Sequence, residues 1–348
     1  MRARTGAEAS TSETPRGTAR LVRRFFSSID LMVRLLVLAI VLASVLPATG
    51  EWRGIAQGVS NAAIFVLFLL NGLRLSRAAV LRGIGHWRFL VPLVLWSFGA
   101  MALAGKGFEL ALSPILPPLV ALGFLYLGVL PSTVQSATAY SSLAGGNVAN
   151  SVVAAALLNV LGVFVSAPLF AALGGGGAAE MGAAGLTKVV LILILPFAIG
   201  QALQVRLAPW VGDHRSLVTW MDRLSIAIAV YVAFSGAVEQ GLWTLVSPVE
   251  WAILLAAVVA FLIVGFAGSW VLAGVIGLSP ADRTAFLFGG AHKSVAMGAP
   301  LAAVLFPPQS AGMILLPLLI YHLFQLVISA PLANRLALRH PPSADAAG

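Results

Sequence analysis

The sequence contains no cysteine, which excludes a disulfide framework, a thiolate metal site and a cysteine nucleophile. Charge is scarce as well. Only 9% of the 348 residues are Asp, Glu, Lys or Arg, against about 25% in a typical soluble domain. Hydrophobic residues make up 59% of the chain, and the mean hydropathy is +0.98. These figures exclude an ordinary soluble domain and point to an all-α polytopic membrane protein. There are twelve carboxylates, and none lies at the centre of an apolar run. No GxSxG, HExxH or paired intramembrane aspartate is present, so nothing supports an enzyme. A net charge of +9 would suggest nucleic acid in a soluble protein. Here it follows from basic residues collecting in cytoplasmic loops, and no nucleic-acid partner is expected.

Ten apolar runs are long enough to cross a bilayer as helices. They lie near 29–46, 55–73, 87–104, 111–141, 147–172, 186–206, 224–243, 250–276, 281–305 and 311–334. Residues 1–27 read as a disordered cytoplasmic tail and 339–348 as a second, short one. The "RRFF" at 23–26 superficially matches a twin-arginine export signal, but Arg34 interrupts the run that follows it. With the N-terminus inside, 16 Lys and Arg fall in inner loops and tails and 3 in outer loops. That bias places both termini in the cytoplasm and the protein in the inner (plasma) membrane. Trp52, Trp87, Trp210, Trp220, Trp243 and Trp251 fall near span ends, as an interfacial belt requires.

Five spans (28–173) precede a Gly-rich outer linker at 174–185, and five (186–338) follow it. An odd number per half requires the halves to insert with opposite orientation. The expected fold is therefore two inverted five-helix repeats, with the fourth span corresponding to the ninth. Both carry a polar, Gly- or Ser-rich interruption, and interrupted helices in corresponding positions point to a transporter site. The two are expected to be broken near Ser136–Ser142 and Gly289–Ser294.

The fourth span holds "LPSTVQSATAYSSLAGGN" (130–147), in which Pro131 removes a backbone donor. Gln135, Ser136 and Thr138 are candidate ligands there, and eight polar side chains fall within eleven residues. Any one of them could merely join helices in lipid. Their density argues for a cavity. Asn147, Asn150 and Ser151 open the fifth span one turn apart and are expected to face the same cavity. In the ninth span, "GGAHKSVAMGAP" (289–300) places His292, Lys293 and Ser294 about ten residues beyond Arg283. Lys293 is thus near the midplane, where an ammonium costs about 2.5–3.5 kcal/mol on insertion scales. With no carboxylate in reach, broken-helix carbonyls, loss of its proton or an anionic substrate must stabilise it. The tenth span adds His322 and Gln325, three residues apart on one face. His86 and His214 fall in cytoplasmic loops and receive no role.

These stretches resemble the bile acid:sodium symporter family, in particular its bacterial symporter-like branch. The resemblance runs from about residue 30 to 338 and is carried by "FVLFLLNGLRLSR" (65–77), "LPSTVQSATAYSSLAGGNVANSVV" (130–153), "LPFAIGQ" (195–201), "GGAHKSVAMGAPLAAVLFP" (289–307) and "LLPLLIYHLFQLVISAPLA" (315–333). It implies ten helices with the fourth and ninth crossing, and a panel of helices moving against a core. In sodium-coupled members, a Ser-Asn pair, helix 5 hydroxyls, and a glutamate and glutamine of helix 9 hold the ions. On that pattern Ser136 and Thr138 fall near the pair and Ser151 on a hydroxyl position. Phe288 stands near the glutamate, and His292 near the glutamine. The glutamate is missing, and a lysine stands beside the lost glutamine.

The expected function is secondary active transport of a small organic anion by alternating access, with Lys293 in place of a coupling sodium ion. No resident cofactor is expected; sodium or a proton is the candidate coupling ion. The expected partners are that anion and the lipid bilayer. The alternatives are a cation/proton antiporter on the same fold and a membrane sensor that moves no cargo.

Overall fold

The computed structural model describes residues 30–74, 85–174 and 187–339. The expected tails and the 174–185 linker lie outside them, apart from their end residues Gly174 and Arg339. Among the described residues all regular structure is helical, with no strand. Hydrocarbon offers the backbone no partner, so each apolar run satisfies its N–H and C=O groups within itself.

Twelve helices are labelled here in chain order: α1 Leu31–Val45, α2 Glu51–Arg74, α3 Trp87–Leu112, α4 Pro118–Gly128, α5 Gln135–Leu143 and α6 Val148–Gly174. The second set is α7 Thr187–Asp213, α8 Arg215–Glu239, α9 Pro248–Val275, α10 Pro280–Ala291, α11 Val295–Leu305 and α12 Pro308–Arg339. Seven of them (α2, α3, α6, α7, α8, α9 and α12) are long and apolar enough to cross a membrane. A crossing needs about 20 residues at 1.5 Å per residue. α4, α5, α10 and α11, at 9–12 residues each, are too short to cross alone.

Several boundaries differ from expectation. The fourth run begins at Pro118 rather than near 111, because α3 continues to Leu112 and Pro117–Pro118 set a new N-terminus. The seventh spans Arg215–Glu239 rather than 224–243. The first discontinuity covers residues 129–134, whereas Gln135–Leu143 is helical. Pro131 explains the earlier break, since it lacks an N–H and pushes Leu130 out of the helical region. The second, at His292–Ser294, lies within its expected window.

The core is centred on α4, α11 and the first half of α12, where nearly every residue is buried. α3, α6, α8 and α9 contribute buried side chains to the same cluster. α2 and α8 are tied by two ion pairs, Arg53–Glu239 and Arg74–Asp222. α3 carries a wide π turn over Leu95–Ala100, directly after Pro92 has removed a helical donor. Against it, α4 packs backbone to backbone. A Cβ on Gly105 would lie 2.5 Å from the Phe124 carbonyl oxygen, and one on Gly128 would lie 2.5 Å from that of Met101.

Helix contact through small residues is the membrane's substitute for hydrophobic association. Gly105→Ala and Gly128→Ala should therefore each lower stability by about 1–3 kcal/mol through overpacking. Gly107, exposed on the same helix with nothing within 4 Å of its would-be Cβ, is the control. Gly107→Ala should leave the thermal midpoint in detergent unchanged or raise it slightly.

Candidate functional site

Two helices end where their neighbours begin, and both ends are buried. α4 stops at Gly128 and α5 starts at Gln135; α10 stops at Ala291 and α11 starts at Val295. A helix C-terminus leaves carbonyls without intrahelical partners, and buried ones must find donors elsewhere. At the first break five consecutive carbonyls do so. Lys293 Nζ donates to Gly128 at 2.9 Å and to Leu130 at 2.7 Å. Ser166 Oγ donates to Val129 at 2.9 Å, and Asn159 Nδ2 to Ser132 at 2.8 Å. The Ser294 N–H donates to Pro131 at 2.9 Å, which joins one break directly to the other.

The second break is satisfied from the surrounding helices. Trp96 Nε1 donates to the Gly290 carbonyl at 3.2 Å and Tyr321 Oη to that of Ala291 at 2.5 Å. Gln325 clamps the Lys293 backbone from both sides: its Oε1 accepts the Lys293 N–H at 2.8 Å and its Nε2 donates to the Lys293 carbonyl at 3.1 Å. The same Nε2 donates to His322 Nδ1 at 2.8 Å, which fixes that nitrogen as an acceptor. Ser294 caps α11 by accepting the Met297 N–H at 3.2 Å.

Lys293 is 1% exposed. Its Nζ makes a third bond, to the Ser97 carbonyl in the π turn, at 3.2 Å. An ammonium has three donors and no acceptor, and three carbonyls match it. α4 also directs the negative end of its dipole at the charge. No carboxylate is among the partners. Two of the three carbonyls, those of Gly128 and Leu130, belong to the first break, so broken-helix carbonyls are among the groups that meet this lysine.

His292 lies beside it, 1% exposed. Its Nδ1 lies 3.2 Å from Thr133 Oγ1 and 3.1 Å from Ser136 Oγ, and its Nε2 lies 2.8 Å from Ser329 Oγ. Tyr140, Phe266 and Phe288 surround the ring with centroids at 5.8–6.0 Å. Phe288, expected near the glutamate of the sodium-coupled pattern, presents an aromatic ring to His292.

The sequence-derived candidates therefore divide. Ser136, His292, Lys293, Ser294, His322 and Gln325 meet at the breaks. Gln135, the first residue of α5, is exposed and makes no side-chain hydrogen bond to them. Thr138 and Ser151 are neighbours at 3.5 Å, one turn from His292's hydroxyls. Asn147 and Asn150 were expected on the same cavity but instead aim both amides at Asp282 Oδ1, at 2.8 and 2.7 Å. Asn150 Oδ1 accepts from His86 Nδ1 at 2.5 Å, so a histidine given no role joins the ends of α3, α6 and α10. The sequence reading also missed Ser97, Trp96, Asn159, Ser166, Tyr321 and Ser329. Asn159 and Ser166 could have been flagged as polar residues inside an apolar run. The role of Ser97 rests on its backbone and leaves no trace in residue type.

The clamp yields a direct test. Gln325→Leu would strand a buried N–H and a buried C=O, at about 1–3 kcal/mol for each. Its thermal midpoint should fall clearly below the parent's. Gln135→Leu removes an exposed amide with no bond in the structure and should change stability by less than about 0.5 kcal/mol.

Among the described residues no group of three or more His, Asp or Glu could hold a metal ion. Comparison with known proteins places this arrangement. The model of the SBF-like CPA transporter family matches residues 30–338. A Pseudomonas aeruginosa protein of uncharacterized function is 39% identical, covering 89% of this chain and 94% of its own length. An Escherichia coli protein named "Putative symporter YfeH" is 36% identical over 90% of this chain and 94% of its own. The Xenopus laevis "Sodium/bile acid cotransporter 7-B" is 23% identical, over 85% and 88%. A multi-pass, all-helical chain matched along nearly all of its described length is not an enzyme but a membrane transport protein, and it belongs to the SBF-like CPA transporter family.

Proposed function

We propose that this protein is a secondary active transporter of a small organic anion, working by alternating access with Lys293 as a built-in cation in place of a coupling sodium ion. In this reading α4 with α5, and α10 with α11, each form one interrupted span. Ten spans then make two inverted repeats, 28–173 and 186–338, with both termini in the cytoplasm and the protein in the inner membrane. The observation that carries the proposal is the ammonium of Lys293 bound to carbonyls of the opposite break at 2.7 and 2.9 Å.

Carbonyls stabilise that charge but do not cancel it. One unit of positive charge remains at the meeting of the breaks, in a setting where charges interact far more strongly than in water. This favours an anionic cargo by field rather than by contact, since the three ammonium donors are already used. The names of the bile acid cotransporter relatives agree with an organic anion. Sodium at the sites of the coupled relatives fits poorly, because Phe288 replaces the carboxylate and the cation place beside it is taken. That leaves a proton, or no ion, to couple transport. The antiporter alternative lacks the carboxylate it would need, as none bonds Lys293 or His292 among the described residues.

The test is uptake of a labelled conjugated bile acid, with smaller carboxylates in parallel, into proteoliposomes under separately imposed sodium and proton gradients. Uptake should be insensitive to sodium. Lys293→Gln should reduce it about tenfold or more while keeping the elution profile of the folded parent. A steep sodium dependence would return the protein to sodium symport. Absence of any uptake across the anion set would favour the sensor.

A further inference from the structure

The oxygens around Lys293 Nζ form a site in their own right. Three carbonyls from two separate elements converge: Gly128 and Leu130 at the end of α4, and Ser97 in the π turn of α3. None of the three belongs to the helix break that carries the lysine. The cage is therefore built by the packing of α3 on α4, through Gly105 and Gly128, and not by residue 293. Ser97 contributes more than its carbonyl. Its hydroxyl is buried, at 1% exposure for the residue, and has no hydrogen-bond partner. The site thus has a spare oxygen on one of its own residues.

We infer that this cage is a monovalent-cation site of ammonium or potassium dimensions, filled in this structure by the chain's own Lys293 Nζ. Size decides the class. The three oxygens stand 2.7, 2.9 and 3.2 Å from the nitrogen. Calcium, an ion of nearly sodium's radius, sits about 2.3–2.6 Å from its oxygens. A sodium ion at the same point would be loosely held on every side. Potassium is close to ammonium in radius, and rings of carbonyls replace its hydration shell in channel filters. The site also has no charged ligand, so a divalent ion would lack the carboxylates it normally requires. This rests on the reading of Lys293 as a built-in cation, which takes over the charge of a coupling sodium ion without occupying a sodium-sized site, and it does not depend on which solute is carried. It assigns the residue a replaceable role: the lysine makes the protein independent of a free ion that the cage would otherwise bind.

Chemical rescue tests the assignment. Lys293→Ala removes three methylenes and the ammonium, which together correspond to propylammonium. The thermal midpoint of the purified variant in detergent is measured in propylammonium, ammonium, potassium, sodium and tetramethylammonium chlorides at equal ionic strength. The midpoint should fall by about 5 °C or more in sodium. At least half of the loss should return with propylammonium, ammonium or potassium, saturably, and little with sodium or tetramethylammonium. The parent should show no such ranking. Lys293→Met fills the channel left by the side chain without supplying a charge, and it too should show none. If Lys293→Ala cannot be purified in sodium, recovery in ammonium or potassium supports the cage. Failure in every salt alongside a well-folded Lys293→Met would overturn it. Rescue by sodium as good as by potassium, or no dependence on cation identity, would also overturn it. Because the readout is stability, failure of the transport proposal in vesicles leaves this result separately interpretable.

Discussion

One ammonium bonded to three backbone carbonyls holds the centre of this protein together. Breaking a helix in a dry interior exposes carbonyls that cost several kcal/mol each if left alone. Burying a lysine there is costly for the complementary reason. Lys293 and the end of α4 remove both costs with the same bonds. The remaining features follow from bringing them together. Pro131 ends the helical hydrogen bonding, and the π turn of α3 supplies the Ser97 carbonyl. Glycines at the α3–α4 contact set the distance, and Gln325 fixes the peptide from which the lysine side chain departs.

Much of this was legible in residue types, and some of it for the wrong reason. The scarcity of intramembrane carboxylates directs attention to other partners for Lys293, and among the described residues its Nζ bonds three carbonyls. Gly289 and Gly290 suggested where the ninth span unwinds, yet both are helical in α10. Gly290 serves close packing instead: a Cβ there would lie 2.5 Å from Ser269 Oγ and 2.8 Å from the Trp96 ring. The unwinding begins two residues later, at His292. In the fourth span the sequence marks Pro131 as weakening the helix, but the break was expected over the hydroxyl-rich Ser136–Ser142 rather than at Pro131 itself, where it lies. Broken-helix carbonyls are one of the options the sequence leaves for Lys293, but which carbonyls meet it could not be read. They are main-chain atoms, which every residue type offers equally, and tertiary packing alone selects three of them.

The Asn147–Asn150–Asp282 group shows a different limit. Helical spacing correctly put both asparagines on one face of α6. It could not say which neighbour that face meets. The N-terminus of α10 lies there, joined also by the bond from the Asn147 N–H to the Ala281 carbonyl at 2.9 Å. Asp282, capped by Ser279 at 3.2 Å, collects the two amides, and His86 extends the chain to α3. This is a second polar locus, located where helices begin rather than where they break, and it ties α3, α6 and α10 into one body. The breaks are thereby mounted on helices whose far ends are also fastened.

Gln325 grips residue 293 through its amide and carbonyl alone, as a neighbouring strand would. Such a grip cannot distinguish one side chain from another. The grip therefore permits position 293 to change its side chain while the interrupted backbone stays held. Position 325 has no such latitude, because few side chains present a donor and an acceptor side by side. On the proposed reading, a single substitution at 293 exchanges a bound ion for a tethered one without a new way to break the helix.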